Sequence, residues 1–127
     1  AKATDPAAFD MIPIWAHGAE AQIGRHTVPG LWMTGNGLRL LERSRPGVLH
    51  TDLKACNDYQ GGMQAAARVT CPTLLLLGDG DRMTPPQAAR PLAQAISGAE
   101  TVVLPRCGHM MSVEQPDAVL DRLREIV

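Results

Sequence analysis

The chain has 127 residues, 45% of them hydrophobic and 20% charged, with a formal net charge of −1. This is the size of one ordinary domain and the composition of a globular chain. Near-neutral charge without basic clusters argues against nucleic acid or a membrane surface as partner. No apolar run approaches the roughly 18 residues of a membrane span, and no stretch has the pattern of a signal peptide. Cys56, Cys71 and Cys107 are odd in number and lack zinc-ligand spacing. A cytoplasmic, reducing compartment without a disulfide framework is therefore expected.

Thr4-Asp5-Pro6 opens the chain as a helix entry, with Asp5 as N-cap and Pro6 in the first turn. Met11, Trp15, Ala19 and Ile23 follow at helical spacing, and Pro13 predicts a kink or two short helices. Gly24 to Gly30 reads as a connection. Leu31 to Ser44 forms a second helical pattern, with Leu31, Leu38 and Leu41 apolar and Gly35 and Gly37 weakening its middle. Pro46 to Gln60 is a third, with Val48, Leu49, Leu53 and Cys56 inward and Asp52, Lys54 and Asp58 outward. Gly61-Gly62 ends it, and Met63 to Arg68 leads onward. No internal repeat or low-complexity linker interrupts the chain.

Pro72 precedes Thr73-Leu74-Leu75-Leu76-Leu77, a run too short for a helix. Its fit is a strand buried on both faces, as in a parallel sheet. Gly78-Asp79-Gly80-Asp81 breaks it. Thr84-Pro85-Pro86-Gln87 then has the makings of a helix start, with Thr84 as N-cap and Gln87 closing a capping box. Ala88, Ala89, Leu92, Ala93 and Ile96 supply the apolar face. Pro91 predicts a kink or a helix regular only beyond it, and Ser97-Gly98 a stop. Thr101 to Leu104 is a second strand, and Pro105 to Ser112 the loop after it. A final helix opens near Pro116, with Val119, Leu120, Leu123, Ile126 and Val127 inward. Strand, helix and strand imply a right-handed parallel crossover. Asp81 and His109 then lie beyond the carboxyl ends of two adjacent strands, where open α/β sheets keep their sites.

At these residues the chain resembles the α/β-hydrolase superfamily. Gly78 to Asp81 matches the family's Gly-x-x-Asp after a late strand, and Gly108-His109 its Gly-His after the last strand. The resemblance is firm from about Val69 to Val127. It implies an α/β fold class: a partial α/β-hydrolase fold, with a helical cap-like segment over residues 1–65 and a strand–helix–strand–helix unit over residues 66–127. It also implies that Asp81 and His109 are catalytic, His109 as general base and Asp81 holding its tautomer. Asp79 is a weaker rival for the acid. Trp15, Trp32 and Met33, with Met11, would line an apolar substrate entrance, although a Met and Trp stripe at helical spacing is more often core. Met110 is placed mainly in packing, with substrate contact as its lesser reading.

A hydrolase of this family also needs a nucleophile on a Gly-x-Ser-x-Gly elbow. No glycine here opens one, and the only serines are Ser44, Ser97 and Ser112. The expectation is a C-terminal fragment of an α/β-fold hydrolase, inactive alone. The intact enzyme would cleave an ester, lactone, amide or carbon–carbon bond in a small-molecule substrate, without a cofactor. The competing expectation is a non-catalytic module serving as an assembly or binding surface. His17, His26 and His50 read as surface or cap residues, and Cys107 and His109 lack the further ligands of a metal site. Loss of the neighbouring strand would leave an unpaired edge at Thr73–Leu77, so a homo-oligomer is expected.

Overall fold

Pro72 and the Gly78–Asp81 turn bracket an apolar run that forms strand β1, Leu74–Gly78, in the computed structural model, which describes residues 6–126. Strand β2, Glu100–Leu104, pairs with it in parallel, from Leu74 opposite Glu100 to Gly78 opposite Leu104. Helix α6, Pro86–Ala95, makes the crossover. It continues through Pro91 and does not restart beyond it; Gly98, at φ +74°, turns the chain into β2. The expected capping box is not formed. Pro85 holds the N-cap position without a side-chain bond, because the Thr84 hydroxyl is engaged by Asp81 instead.

Among the described residues, five helices precede the strands: α1 Pro6–Ala16, α2 Ala19–Gln22, α3 Met33–Arg43, α4 Val48–Asp58 and α5 Gly62–Ala66. Two follow them, α7 Met111–Glu114 and α8 Pro116–Ile126. The expected N-cap at Asp5 lies outside the described residues. Helix α1 runs through Pro13, and the break falls at His17-Gly18 instead. There the ring Nδ1–H of His17 donates to the Pro13 carbonyl over 2.7 Å, satisfying an acceptor at the helix end. His17, expected as a surface or cap residue, lies in the helical segment and is buried, with 2% exposure.

The apolar stripe faces differently from its expected direction. Met11, Trp15 and Ile23 are exposed, and α1 packs on α3, with Pro13 and the following His17 against Gly37. Helices α4 and α8 bury no residue, so Val48, Leu53 and Cys56 on one, and Leu120, Leu123 and Ile126 on the other, stand in solvent. A helical stripe needs a second layer to bury it, and a two-stranded sheet presents little area. The accessible surface is 8795 Å² for a chain of 13.6 kDa. A compact monomer of that mass exposes about 6,600 Å². Among the described residues, three of the eight hydrophobic core residues are alanines, Ala16, Ala21 and Ala66, so the core is thin. Leu75 on β1, Leu104 at the end of β2 and Cys107 just beyond it belong to this buried set.

Candidate active site

Beyond the strands, the two following loops are joined by backbone. Asp79 donates its N–H to the Leu104 carbonyl at 3.0 Å, and Gly80 to the Cys107 carbonyl at 2.8 Å. The Asp79 carboxylate accepts from the Cys107 N–H at 3.3 Å, which accounts for the rival acid. This approach depends on Gly78, since a Cβ there would overlap the carbonyl oxygens of both Cys107 and Gly108. Arg106 turns the second loop in the left-handed region, at φ +56°, a conformation uncommon for a side chain of this type.

Asp81 projects from the first loop with its side chain 3% exposed. One carboxylate oxygen, Oδ1, accepts the N–H groups of Met83 at 2.8 Å and Thr84 at 2.9 Å. The other, Oδ2, accepts the Thr84 hydroxyl at 2.8 Å and lies 2.9 Å from Nδ1 of His109. Burial alone would raise the pKa of this carboxyl. The Thr84 N–H, the His109 ring, the Thr84 hydroxyl and the Met83 N–H together outweigh it, and the net direction is down. Hydrogen bonds to the charged form hold Asp81 as a carboxylate.

An ionised carboxylate only accepts, so Nδ1 of His109 carries the proton in this contact. The Thr84 hydroxyl, which gives its own proton to Oδ2, stands 3.2 Å from the same nitrogen and accepts a share of that bond. In the neutral ring Nε2 is then the unprotonated nitrogen. The ring is 38% exposed, and among the described residues nothing bonds to Nε2. The arrangement is an oriented imidazole with its basic nitrogen open to a reacting group.

The backbone of His109 is held from the other side. Its N–H and that of Met110 both donate to the Ala16 carbonyl, at 2.9 and 3.0 Å. Glu114, on α7, folds back beneath them: its Oε2 accepts the N–H of Gly108 at 2.8 Å and of Gly18 at 3.0 Å. Glu114 is 8% exposed, and its Oε1 is buried without a partner. A buried acceptor left unpaired costs about 1–3 kcal/mol. Sequence reading missed both Glu114 and the Ala16-His17-Gly18 turn. A glutamate five residues after a histidine carries no pattern of its own, and the turn's partners are more than ninety residues away in sequence.

The other candidates disperse. Trp32 is 65% exposed and stacks over Gly35, and it borders a cavity of about 370 Å³ with Phe9, Pro13, Ile14 and Leu38. Met33 is buried and borders a second, of about 380 Å³, between α2 and the start of α8, with Glu20, Arg25, Arg106 and Glu114. Trp15 is exposed beside neither. Met110 is half-buried next to His109. Asp81 and His109 line neither of these two cavities. Cys107 is fully buried; burial first, then the charges of Glu114, Asp79 and Asp81, push its thiol up to about 12, far from a thiolate nucleophile. Among the described residues no three His, Cys, Asp or Glu side chains are grouped to hold a metal ion, and no helix is long and apolar enough to cross a membrane.

The parallel strand–helix–strand unit, with an acid–histidine pair beyond its carboxyl edge, is an α/β architecture. The alpha/beta hydrolase family model matches residues 3–122, and the chain belongs to that family. It is 33% identical over 76 residues to the proline iminopeptidase PfmaB of Pestalotiopsis fici, a match covering 60% of this chain and 26% of that protein. It is likewise 33% identical over 82 residues to a pimeloyl-(acyl-carrier protein) methyl ester esterase of Nitrosospira multiformis, covering 61% of this chain and 30% of that one. Among solved structures, a thermophilic esterase from Thermogutta terrifontis superposes with a TM-score of 0.73 at 25% identity, covering 94% of this chain and 42% of the esterase. The chain thus spans between a quarter and a third of the length of those two relatives.

Proposed function

We propose that this chain carries the base and the orienting acid of an α/β-hydrolase acyl-transfer site, with residues through 65 acting as a helical cap and residues 66–127 as the C-terminal part of the core. His109 takes the nucleophile's proton at Nε2 and returns it to the leaving group, while Asp81 holds Nδ1–H and stabilises the imidazolium. The observation that carries this reading is the 2.9 Å contact between His109 and a buried carboxylate already saturated with donors. The nucleophile and the oxyanion donors come from outside these 127 residues, since no elbow motif occurs and the Cys107 thiol stays protonated. The substrate is a small molecule with an ester, lactone, amide or carbon–carbon bond; the names of the iminopeptidase and methyl ester esterase relatives favour the amide and ester among these. Met110, the half-buried neighbour of His109, is the side chain assigned to contact it.

Alone, the chain should not turn over activated esters above its His109→Ala variant, because a base without a nucleophile forms no acyl-enzyme. Turnover lost on replacing Ser44, Ser97 or Ser112 would overturn this and reveal a nucleophile within the chain. A Gly-x-Ser-x-Gly motif in the reading frame before Ala1 would support the catalytic reading; a frame without one would favour the non-catalytic module.

The isolated chain is further assigned as a cytoplasmic homo-oligomer. Its three cysteines are free, and its surface exceeds that of a compact monomer by roughly 2,200 Å², well above the ~800 Å² per partner that a standard stable interface buries. Strand β1 is paired on one side only, and Leu75, Leu76 and Leu77 line an open groove with Ala88 and Leu92. Sedimentation equilibrium at micromolar concentration should give a mass above 13.6 kDa; a monomer at all concentrations would refute the assembly.

A further inference from the structure

The His17-Gly18 turn belongs to the helical half, whereas Gly108 and His109 belong to the strand unit. One carboxylate oxygen joins them. We propose that Glu114 is the positioning residue of the His109 loop, tying Gly108 to Gly18 so that the imidazole is held against Asp81 only while the helical half is docked. This rests on the acid–base reading of Asp81 and His109 and adds to it the residue that couples their assembly to the preceding helices.

Four backbone donors fix the loop. Gly108 and Gly18 give theirs to Glu114 Oε2, and His109 and Met110 give theirs to the Ala16 carbonyl. The peptide before the histidine is therefore held by α7, and the peptide of the histidine itself by the end of α1. Bonds from N–H to a buried carboxylate are the stronger kind, and two on one oxygen leave the segment little freedom. Packing adds to this. A Cβ on Gly108 would overlap the Gly18 nitrogen and lie 2.7 Å from Glu114 Oε1. The unpartnered Oε1 argues that the side chain is not there as a saturated buried network, since such networks satisfy every member. Its oxygen Oε2 alone serves, and it serves the two residues on which the position of His109 depends. The same charge stands first among those acting on Cys107, which keeps a protonated thiol two residues from the ring.

The test is proton–nitrogen NMR of the full chain with labelled histidine, together with amide exchange. The wild type should show a downfield His109 Nδ1–H resonance that disappears in Asp81→Asn. In Glu114→Ala that resonance should be lost to solvent exchange, and the Gly18 and Gly108 amides should exchange about tenfold faster or more. The β1 and β2 amides should stay within about twofold, on the additivity of independent sites. Glu114→Gln keeps one acceptor oxygen and should restore the resonance in part. Gly18 sits at φ −61°, which alanine accepts, but its new Cβ would come within 3.0 Å of both Glu114 Oε2 and the Gly108 nitrogen. Gly18→Ala should therefore weaken the same resonance in a folded chain, and it carries the test should Glu114→Ala unfold. Folded variants that keep the resonance, with Gly18 and Gly108 exchanging as in the wild type, would overturn the proposal. Absence of the resonance from the wild type, with Gly18 and Gly108 protected by Glu114 all the same, would instead sink the acid–base reading and leave the strap as a structural tie.

Discussion

The corner at the carboxyl ends of β1 and β2 and the outer helices α4 and α8 are built by opposite rules. In the corner, Asp79, Asp81 and Glu114 each accept backbone N–H groups, and Gly78, Gly18 and Gly108 let main chains touch. The outer helices meet the rest of the molecule sparsely and leave leucines in water. The difference teaches where the site's geometry is stored. It resides in hydrogen bonds and close backbone approach within this chain, which persist whether or not the apolar faces outside are covered. Burial of α4 and α8 depends on a second layer, and no described element supplies it.

The contrast is broken most severely from the corner side. Gly108→Ala would drive a methyl into the Gly18 nitrogen and the His17 carbonyl carbon, and Gly78→Ala one into the carbonyl oxygens of Cys107 and Gly108. Backbone cannot rotate away as a side chain can, so each should destabilise by about 3 kcal/mol, at the upper end of overpacking. Urea unfolding followed by tryptophan fluorescence measures it. A loss under about 1 kcal/mol for either would mean that the two loops separate at little cost and that the corner is not the rigid part.

How much of this was legible in the sequence follows the same division. Strand β1, the crossover and β2 were read from short apolar runs bounded by Pro72, Gly78, Gly98 and Pro105, because such runs leave few alternatives. Asp81 and His109 were placed together because a parallel crossover brings adjacent strand ends side by side. Thr84 was read as a cap, since a threonine before two prolines has that local signature. Its hydroxyl went to Asp81, which forms the stronger, charged bond. His17 and Glu114 were out of reach: each is defined by partners that only the folded chain supplies. The faces of α1, α4 and α8 were misjudged for another reason. Periodicity locates a stripe but cannot say whether anything lies against it.

Asp81→Asn sharpens the comparison at intermediate size. The amide retains one oxygen for the Met83 and Thr84 N–H groups but presents donors where the Thr84 hydroxyl and His109 Nδ1–H now give theirs. A loss of about 1–3 kcal/mol is expected. The pH dependence has a fixed sign. The folded carboxyl is lowered from 3.8, so the unfolded chain binds this proton more readily. The contribution is complete above the unfolded value and is lost as pH falls through the folded one. Unfolding curves between pH 7 and pH 2 should therefore show the gap between wild type and Asp81→Asn narrowing only in the acid range, below about pH 4. A gap that closes between pH 7 and pH 5 would assign the effect to a group other than this carboxyl.

The smallest effect is expected on α4. Leu53 was read from the helical period as an inward residue, yet it is 50% exposed and α4 buries nothing. Leucine to alanine at a buried site costs about 2–5 kcal/mol, because transfer and cavity terms add. At an exposed helical site both terms nearly vanish and alanine is the better helix former, so the change should stay within about 0.5 kcal/mol of zero. The measurement gains force when repeated across protein concentration. If the isolated chain associates through the faces left open, Leu53→Ala should be neutral in dilute solution and costly where the oligomer forms, since burial in an interface restores the transfer term. A cost of about 2 kcal/mol at every concentration would mean that α4 is packed within the monomer, and the division between a self-sufficient corner and uncovered helices would not stand.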